Sequence, residues 1–183
     1  MWWRYDGPEA MTSEPHRKRA AEAALQRFCH EIKTDYLDVV LLHCMMKHDW
    51  PETMQPYMTA LDEAKQKGQV RAVGVSCHDF QAMKTAASTP WVDVILARFN
   101  PRGVKMDGTP EEVAAVLRTA RDNGKAVIGM KIFGEGQLAE ERENCIKFAQ
   151  DSRLLDTMTI GFHTHEQIDD VLRLIAKYPA ATL

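Results

Sequence analysis

TDYLDVVLLH, residues Thr34–His43, contains the clearest strand signal in the chain: a run of Val and Leu that follows a short polar turn and ends in a histidine. Further apolar runs recur at intervals of about thirty residues, the length of a strand–helix unit. The five runs are Asp38–His43, Val70–Ser76, Val92–Ala97, Ala126–Lys131 and Asp156–Gly161. The first four are rich in Val, Ile and Leu with weak polar alternation, which is typical of parallel strands covered on both faces. The fifth is the weakest prediction, because its threonines alternate with apolar residues.

Helical patterns lie between these runs, and their boundaries carry capping signals. Three segments resemble capping boxes: Asp49-x-x-Glu52, Thr109-Pro110-x-Glu112 and Thr164-x-x-Gln167. Asp79 is predicted to cap the helix after the second run, and Gly68 and Gly124 to end helices just before strands. The order predicts one helix followed by five strand–helix units, in a single α/β domain spanning residues 1–183.

Two architectures fit this order of elements: an open doubly wound sheet, or part of a closed (β/α)8 TIM barrel. Hydrophobic periodicity does not choose between them. In both, functional groups lie at the carboxyl ends of the strands.

Composition excludes several classes of partner. The net charge is −3 and the pI about 6.2, so we expect neither nucleic acid nor a membrane surface as a partner. No apolar run approaches the ~18 residues of a membrane span, and MWWRYDGPEA at the start does not resemble a secretory signal. The cysteines are widely spaced, which favours reduced thiols and a cytoplasmic location.

Polar residues follow every predicted strand. They are His43-Cys44, Ser76-Cys77-His78, Arg98-Phe99-Asn100, Lys131 with the turn FGEG (Phe133–Gly136), and Gly161-Phe162-His163. Because the carboxyl ends of parallel strands share one rim, these groups are predicted to converge.

His43 is the clearest candidate for chemistry. An isolated histidine is more often a satisfied core residue, but the polar ends of the neighbouring strands favour a functional one. A neutral imidazole at this position could donate a hydrogen bond to a substrate carbonyl or act as an acid. The FGEG turn matches no phosphate-binding signature, although its small residues allow backbone N–H groups to approach an anion.

Metal binding is the competing interpretation. His163-x-His165 precedes a predicted helix, where the N-terminus suits a phosphate equally well. A zinc shell of Cys44, Cys77 and His78 beside His43 lacks the usual spacing. We therefore predict no metal, and keep a metal-dependent barrel hydrolase that uses His43, Cys44 and His78 as an alternative.

Three segments resemble the later strands of the aldo-keto reductase family. They are Thr34–His43, GQVRAVGVSCHDF at Gly68–Phe80, and GKAVIGMKIFGEGQL at Gly124–Leu138. The resemblance extends from about Pro15 to Tyr178. It implies a (β/α)8 barrel with NADP or NAD as cofactor, whose reduced form transfers hydride to the carbonyl of a small aldehyde or ketone.

The resemblance also implies roles for single residues. His43 falls on the histidine that orients the substrate carbonyl. Cofactor-binding positions are implied at Ser76, Cys77, Arg98, Asn100 and Met130 for the nicotinamide, at Lys131, Phe133, Gly134 and Gly136 for the pyrophosphate, and at Gly161 and His163, near Gln167 and Asp170, for the adenosine.

Departures from the family pattern concern the residues before Asp38. The family's catalytic tyrosine, lysine and aspartate lie on earlier strands, whereas here a loop and one helix are predicted. Tyr5, Asp6 and Lys18 do not match those positions, so the first three strand–helix units are expected to be missing. A lost general acid typically costs ~10²–10⁴ in rate, which implies an impaired or inactive reductase.

Five strands without closure would leave two open sheet edges. Such edges favour pairing with another chain, so self-association is expected. A non-catalytic fragment that acts as an assembly module is therefore the second alternative.

Overall fold

The computed structural model describes residues 14–180 and contains one parallel sheet. Its strands are β1 Leu37–Met45, β2 Val70–Cys77, β3 Val94–Arg98, β4 Ala126–Met130 and β5 Thr157–Met158. Each strand pairs in parallel with the next along the chain. The loop predicted at Met1–Arg4, with Tyr5 and Asp6, lies outside the described residues.

Helices connect the strands in the predicted order. They are α1 Glu14–Ile32, α2 Trp50–Thr53, α3 Gln55–Gln66, α4 Phe80–Ser88, α5 Pro110–Asp122, α6 Arg142–Ser152 and α7 His165–Lys177, with short 3-10 turns at Gly134–Gly136 and Ala139–Glu141. One helix followed by five strand–helix units is thus confirmed. None of the helices within residues 14–180 is both long and apolar enough to cross a membrane.

Strand order chooses between the two predicted architectures. A doubly wound sheet reverses its strand order at a switch point, whereas this sheet runs β1-β2-β3-β4-β5 without reversal. Sequential parallel strands with helical crossovers form an arc of a (β/α)8 barrel. The partial barrel predicted from the sequence is confirmed.

The two faces of the sheet are covered unequally. Val40, Leu42 and Val75 belong to the main buried core beneath the helices. On the opposite face Val39 is 41% exposed and Leu41 is only half-buried, so the prediction of full burial on both faces is wrong. In a barrel this second face lines the interior, where side chains from all the strands pack in layers.

Most of the predicted caps are present. Thr109 forms both bonds of a capping box, and the Asp79 carboxylate accepts from the N–H of the third residue of α4. Thr164 accepts from Gln167 N–H, but the Gln167 side chain accepts from the N–H of the residue before the cap. Asp49 makes no side-chain cap bond, so that prediction is wrong: α2 is a single turn of four residues.

Glycines serve two purposes at the strands. Gly68 and Gly124 have φ values of +73° and +75°, the left-handed geometry predicted just before β2 and β4. Gly74 lies within β2, where an added Cβ would lie 1.8 Å from the carbonyl oxygen of Val94. Close pairing of β2 with β3 therefore requires a residue without a side chain.

Candidate active site

A bulge at the end of β1 positions His43. Leu42 pairs with Val75, but the next registered pair is Met45 with Cys77, so His43 and Cys44 fall within the irregularity. Cys44 has a φ of +61°, which is strained for a residue with a side chain. Bulges re-aim side chains at functional rims, and this one brings the His43 ring to the end of β2.

Ser76 contacts the His43 ring through its buried hydroxyl. The Ser76 hydroxyl is buried, accepts from the N–H of Cys44 at 3.3 Å, and lies 3.3 Å from His43 Nδ1. The Ser76 hydroxyl can donate its proton to Nδ1, in the tautomer that carries the proton of His43 on Nε2. Burial lowers the pKa of His43. The ring is therefore a neutral N–H donor at neutral pH.

His78 lies beside His43 and is held by Arg98. The two imidazole centroids are 5.6 Å apart, edge to face. His78 Nδ1 contacts the Arg98 guanidinium, which in turn donates to the carboxylate of Asp107 at 3.2 Å. Burial, and then the charge of Arg98, lower the pKa of His78 to about 4.

Asp107 is the residue at this rim that sequence reasoning missed. Its carboxylate is 8% exposed, and burial raises its pKa while Arg98 opposes that shift. Asp107 lies in the irregular loop between β3 and α5, where no periodic pattern marks it. Its only sequence signal is proximity to a strand that ends in arginine.

Two residues assigned to the nicotinamide do not face an open site. Cys77 is fully buried in the core beneath the helices, and that burial raises the pKa of its thiol. Asn100 is also fully buried, and its amide bonds the backbone of Val104 and Lys131. The structure therefore gives both residues packing or loop-holding environments.

A cleft of about 1010 Å³ lies between the end of β4 and the start of α7. Most of the positions assigned to the cofactor line it: Met130, Lys131, Phe133, Gly136, Gly161 and His163, together with Gln167 and Asp170. Gly134 does not line the cleft. It packs against Val104 instead, since an added Cβ at Gly134 would lie 2.7 Å from a methyl group of that residue. That glycine serves packing beneath the turn.

The turn after β4 combines left-handed backbone with a lysine at the rim. Lys131 has a φ of +55°, and Gly134, Glu135 and Gly136 form a run of three residues with positive φ. Gly136 has a φ of +88°, and an added Cβ would meet nothing within 4 Å. Lys131 is paired with Glu135 at 2.9 Å and also lowers the pKa of His78. The cleft thus reaches the carboxyl end of β4, on the same rim of the sheet as His43 and His78.

The metal interpretation fits less well. Candidate ligand atoms of His43, Cys44 and His78 do lie within 4.8 Å of one another, and no other such group occurs in residues 14–180. A ligating histidine normally donates its second ring N–H to an acceptor, yet His78 Nδ1 faces Arg98, which can only donate. A metal on Nε2 would require an imidazolate, and one on Nδ1 would displace the arginine.

Comparisons with solved structures identify similar folds. A protein from Pseudomonas aeruginosa assigned to the aldo-keto reductases matches with a TM-score of 0.70 and 20% identity, over 91% of this chain and 59% of that one. The holo form of an aldo-keto reductase from Bacillus halodurans matches with a TM-score of 0.63 and 19% identity, over 93% and 64%. An aldo/keto reductase from Klebsiella pneumoniae in complex with NADP and acetate matches at 0.54 and 17%, over 88% and 66%.

These matches concern the fold and part of a longer domain. The chain spans about three-fifths of the length of the first matched structures. Among curated proteins no relative matches the sequence. The model of the aldo/keto reductase family matches residues 6–180, nearly the whole chain, and this chain therefore belongs to the aldo/keto reductase family.

Proposed function

We propose that this chain forms the cofactor-binding and histidine-bearing part of an NAD(P)H-dependent reductase of aldehydes or ketones. The observation that carries the proposal is a cleft that reaches the rim of the sheet on which the histidines lie. Met130 lines the cleft and pairs with Arg98 in the sheet, and Arg98 contacts His78, the neighbour of His43. A dinucleotide along the cleft would thus end near the His43 ring.

The cleft residues would bind and orient the cofactor, which supplies the hydride when bound. Gly136 and Gly161 leave room for the backbone to approach phosphate groups, since an added Cβ at either meets nothing within 4 Å. Met130 is a buried apolar residue at the end of β4 and suits the flat nicotinamide ring. Lys131 adds a positive charge at the same rim.

His43 would orient the carbonyl of the substrate. In the tautomer in which Ser76 donates to Nδ1, the Nε2–H of His43 can donate to the carbonyl oxygen. Negative charge develops on that oxygen as hydride arrives, and a positioned donor stabilises it. No tyrosine of residues 14–180 matches the family's general acid, so we expect the separate chain to turn over substrate about 10²–10⁴ times more slowly than a complete barrel.

The choice between NAD and NADP depends on charge at the adenosine end. Arg142 and Arg173 both line the cleft, and both pair with the carboxylate of Asp170. A 2′-phosphate would compete with Asp170 for these arginines. Parallel titrations with NADH and NADPH measure the preference directly.

Fluorescence titration with NADH and NADPH tests the proposal. We expect saturable binding to the wild-type chain and weaker binding to Gly161→Val, whose side chain would protrude into the cleft. Ala126→Val is the matched control, because Ala126 is exposed at the opposite end of β4. No binding of either cofactor at millimolar concentration, or equal binding by both variants, would overturn the proposal.

A further inference from the structure

His78 lies at the rim, yet neither the family resemblance nor the proposed reaction assigns it a role. It follows β2 directly, and its backbone N–H donates to the carbonyl of Met45 at 2.9 Å. That bond ties His78 to the bulge that carries His43. The edge-to-face contact of the two rings then places them side by side at the mouth of the sheet.

Arg98 determines which ring nitrogen of His78 is protonated. A guanidinium can only donate, so the contact of Arg98 with Nδ1 requires a bare lone pair on that nitrogen. The proton of the neutral ring must then be on Nε2. Asp107 fixes Arg98 from the other side, and the Arg98 side chain is only 20% exposed.

The Nε2 atom of His78 is buried and has no hydrogen-bond partner among the described residues. Buried donors without an acceptor are rare in proteins, and they call for an explanation. The ring cannot turn its N–H to solvent without breaking the contact with Arg98. An N–H fixed in this way is suited to a ligand oxygen that arrives later.

We propose that His78 is a second hydrogen-bond donor to the carbonyl oxygen of the substrate, and that Arg98 and Asp107 are positioning residues that keep its proton on Nε2. The inference rests on the proposed function. The bound reduced cofactor would supply a hydride to the substrate carbon, the π electron pair would move to oxygen, and a proton from solvent would complete the alcohol. His43 and His78 would both donate to that oxygen while it carries negative charge.

A neutral imidazole suits this role. Histidine with a lowered pKa polarises a carbonyl as an electrophile in triosephosphate isomerase, a known precedent for neutral imidazole. Burial of Nε2 also keeps water from competing for the N–H. Because Nε2 is buried, side chains at the rim would have to move to admit the substrate oxygen.

Nitrogen NMR on the full chain labelled with ¹⁵N-histidine tests the positioning role without turnover. We expect His78 to be protonated on Nε2 and bare on Nδ1. Arg98→Met should produce a mixture of the two forms, and Arg98→Lys, which keeps a donor, should restore the first. Arg121→Met is the matched control, since Arg121 is also 20% exposed and pairs with Asp156 far from the rim. Protonation on Nδ1 in the wild type, or no change in Arg98→Met, would overturn the inference.

Ligand and activity measurements test the donor role. Acetophenone should shift the Nε2 signal of His78 in the wild type, and an unchanged signal contradicts donation. Where turnover is measured, His78→Phe should lower kcat about 10²-fold with little change in cofactor affinity, as for loss of an oxyanion donor. His78→Gln, which keeps an N–H at the same reach, should retain most of kcat. Absence of NADH binding by the wild type would instead refute the proposed function, and the protonation of His78 is measured independently of it.

Discussion

Replacement of Asn100 by alanine separates two roles for a residue that the family resemblance places beside the nicotinamide. Its buried amide donates to the carbonyls of Val104 and Lys131 at 2.8 and 3.1 Å. Its oxygen accepts from the N–H groups of Arg102 and Val104 at 3.2 and 3.1 Å. A loop-holding role predicts lower stability of Asn100→Ala. Direct cofactor contact predicts weaker binding by an equally stable protein.

The structure sets the size of the expected effect. One internal hydrogen bond contributes about 0.5–1.5 kcal/mol, and Asn100 makes four. Because Arg102 is exposed and Val104 half-buried, water can replace part of the loss, so we expect a decrease of about 2–4 kcal/mol in the free energy of unfolding. Asn123→Ala is the matched control: its amide makes one bond, to the carbonyl of Ala87 at 3.0 Å, and should cost about 1 kcal/mol.

Urea denaturation followed by circular dichroism measures both variants. With a slope of about 1–3 kcal/mol/M, the midpoint of Asn100→Ala should lie about 1 M below that of Asn123→Ala. NADH titration of the folded variant completes the comparison. Equal midpoints together with weakened cofactor binding would refute the loop-holding role and return Asn100 to the nicotinamide site.

The remaining predictions concern stability, thiol reactivity and pH. Gly74→Ala should lower the free energy of unfolding by more than about 3 kcal/mol, because its Cβ would overlap the backbone of β3. Gly124 has open space around it and a φ of +75°, so Gly124→Ala should cost only about 1 kcal/mol. Thermal denaturation compares the two variants, and similar losses would contradict the close approach of β2 and β3 at Gly74. A thiol reagent added to the native protein should modify half-buried Cys44 well before Cys77, which is buried and has a raised pKa; equal rates would show that Cys77 is accessible. Folding depresses the pKa of His78 to about 4 from about 6.5, so its neutral form stabilises the fold above pH 6.5 and that contribution is lost as the pH falls toward 4. After allowance for partial exposure, we expect the free energy of unfolding to fall by about 1–2 kcal/mol over this pH range, as measured by urea denaturation at both pH values. His78→Gln should show a smaller pH dependence of stability. An unchanged pH dependence in that variant would assign the effect to another group.

Local patterns predicted the elements well, because strands and caps depend on neighbouring residues. The run Val70–Ser76 differs from β2 by one residue, and the capping box at Thr109 forms as its spacing indicates. Of the last predicted run, Asp156–Gly161, only the two residues of β5 form a strand, since its alternating threonines provide little apolar surface to bury. The order of the strands, which distinguishes a barrel from a doubly wound sheet, depends on pairing between residues far apart in sequence. The hydrophobic periodicity of single segments therefore cannot predict it.

Site prediction was limited by the direction of side chains. Successive residues of a strand face opposite sides, so Ser76 and Cys77 cannot both enter one site. Ser76 contacts His43, and Cys77 enters the core. The family resemblance implies a nicotinamide contact for Asn100, whereas in the structure its loop uses all the hydrogen-bonding capacity of the amide. In each case the residue type and its place after a strand predicted a position near the rim. The alternation of side chains along the strand, or the path of the loop, then determined what the side chain contacts.

Backbone strain provides a separate argument that the rim is a functional surface. Among the described residues six non-glycine residues have positive φ. Four of them lie at the end of β1 or in the loops after β3 and β4: Cys44, Lys105, Lys131 and Glu135. Each such residue costs about 1–3 kcal/mol and persists only where neighbouring contacts hold it. Here those contacts are the bond from Cys44 N–H to Ser76 and the pairing of Glu135 with both lysines. A rim that served stability alone would favour glycine or asparagine at these positions. Strained residues held by polar contacts cluster at functional sites in proteins, and here they lie on the same rim as His43 and His78.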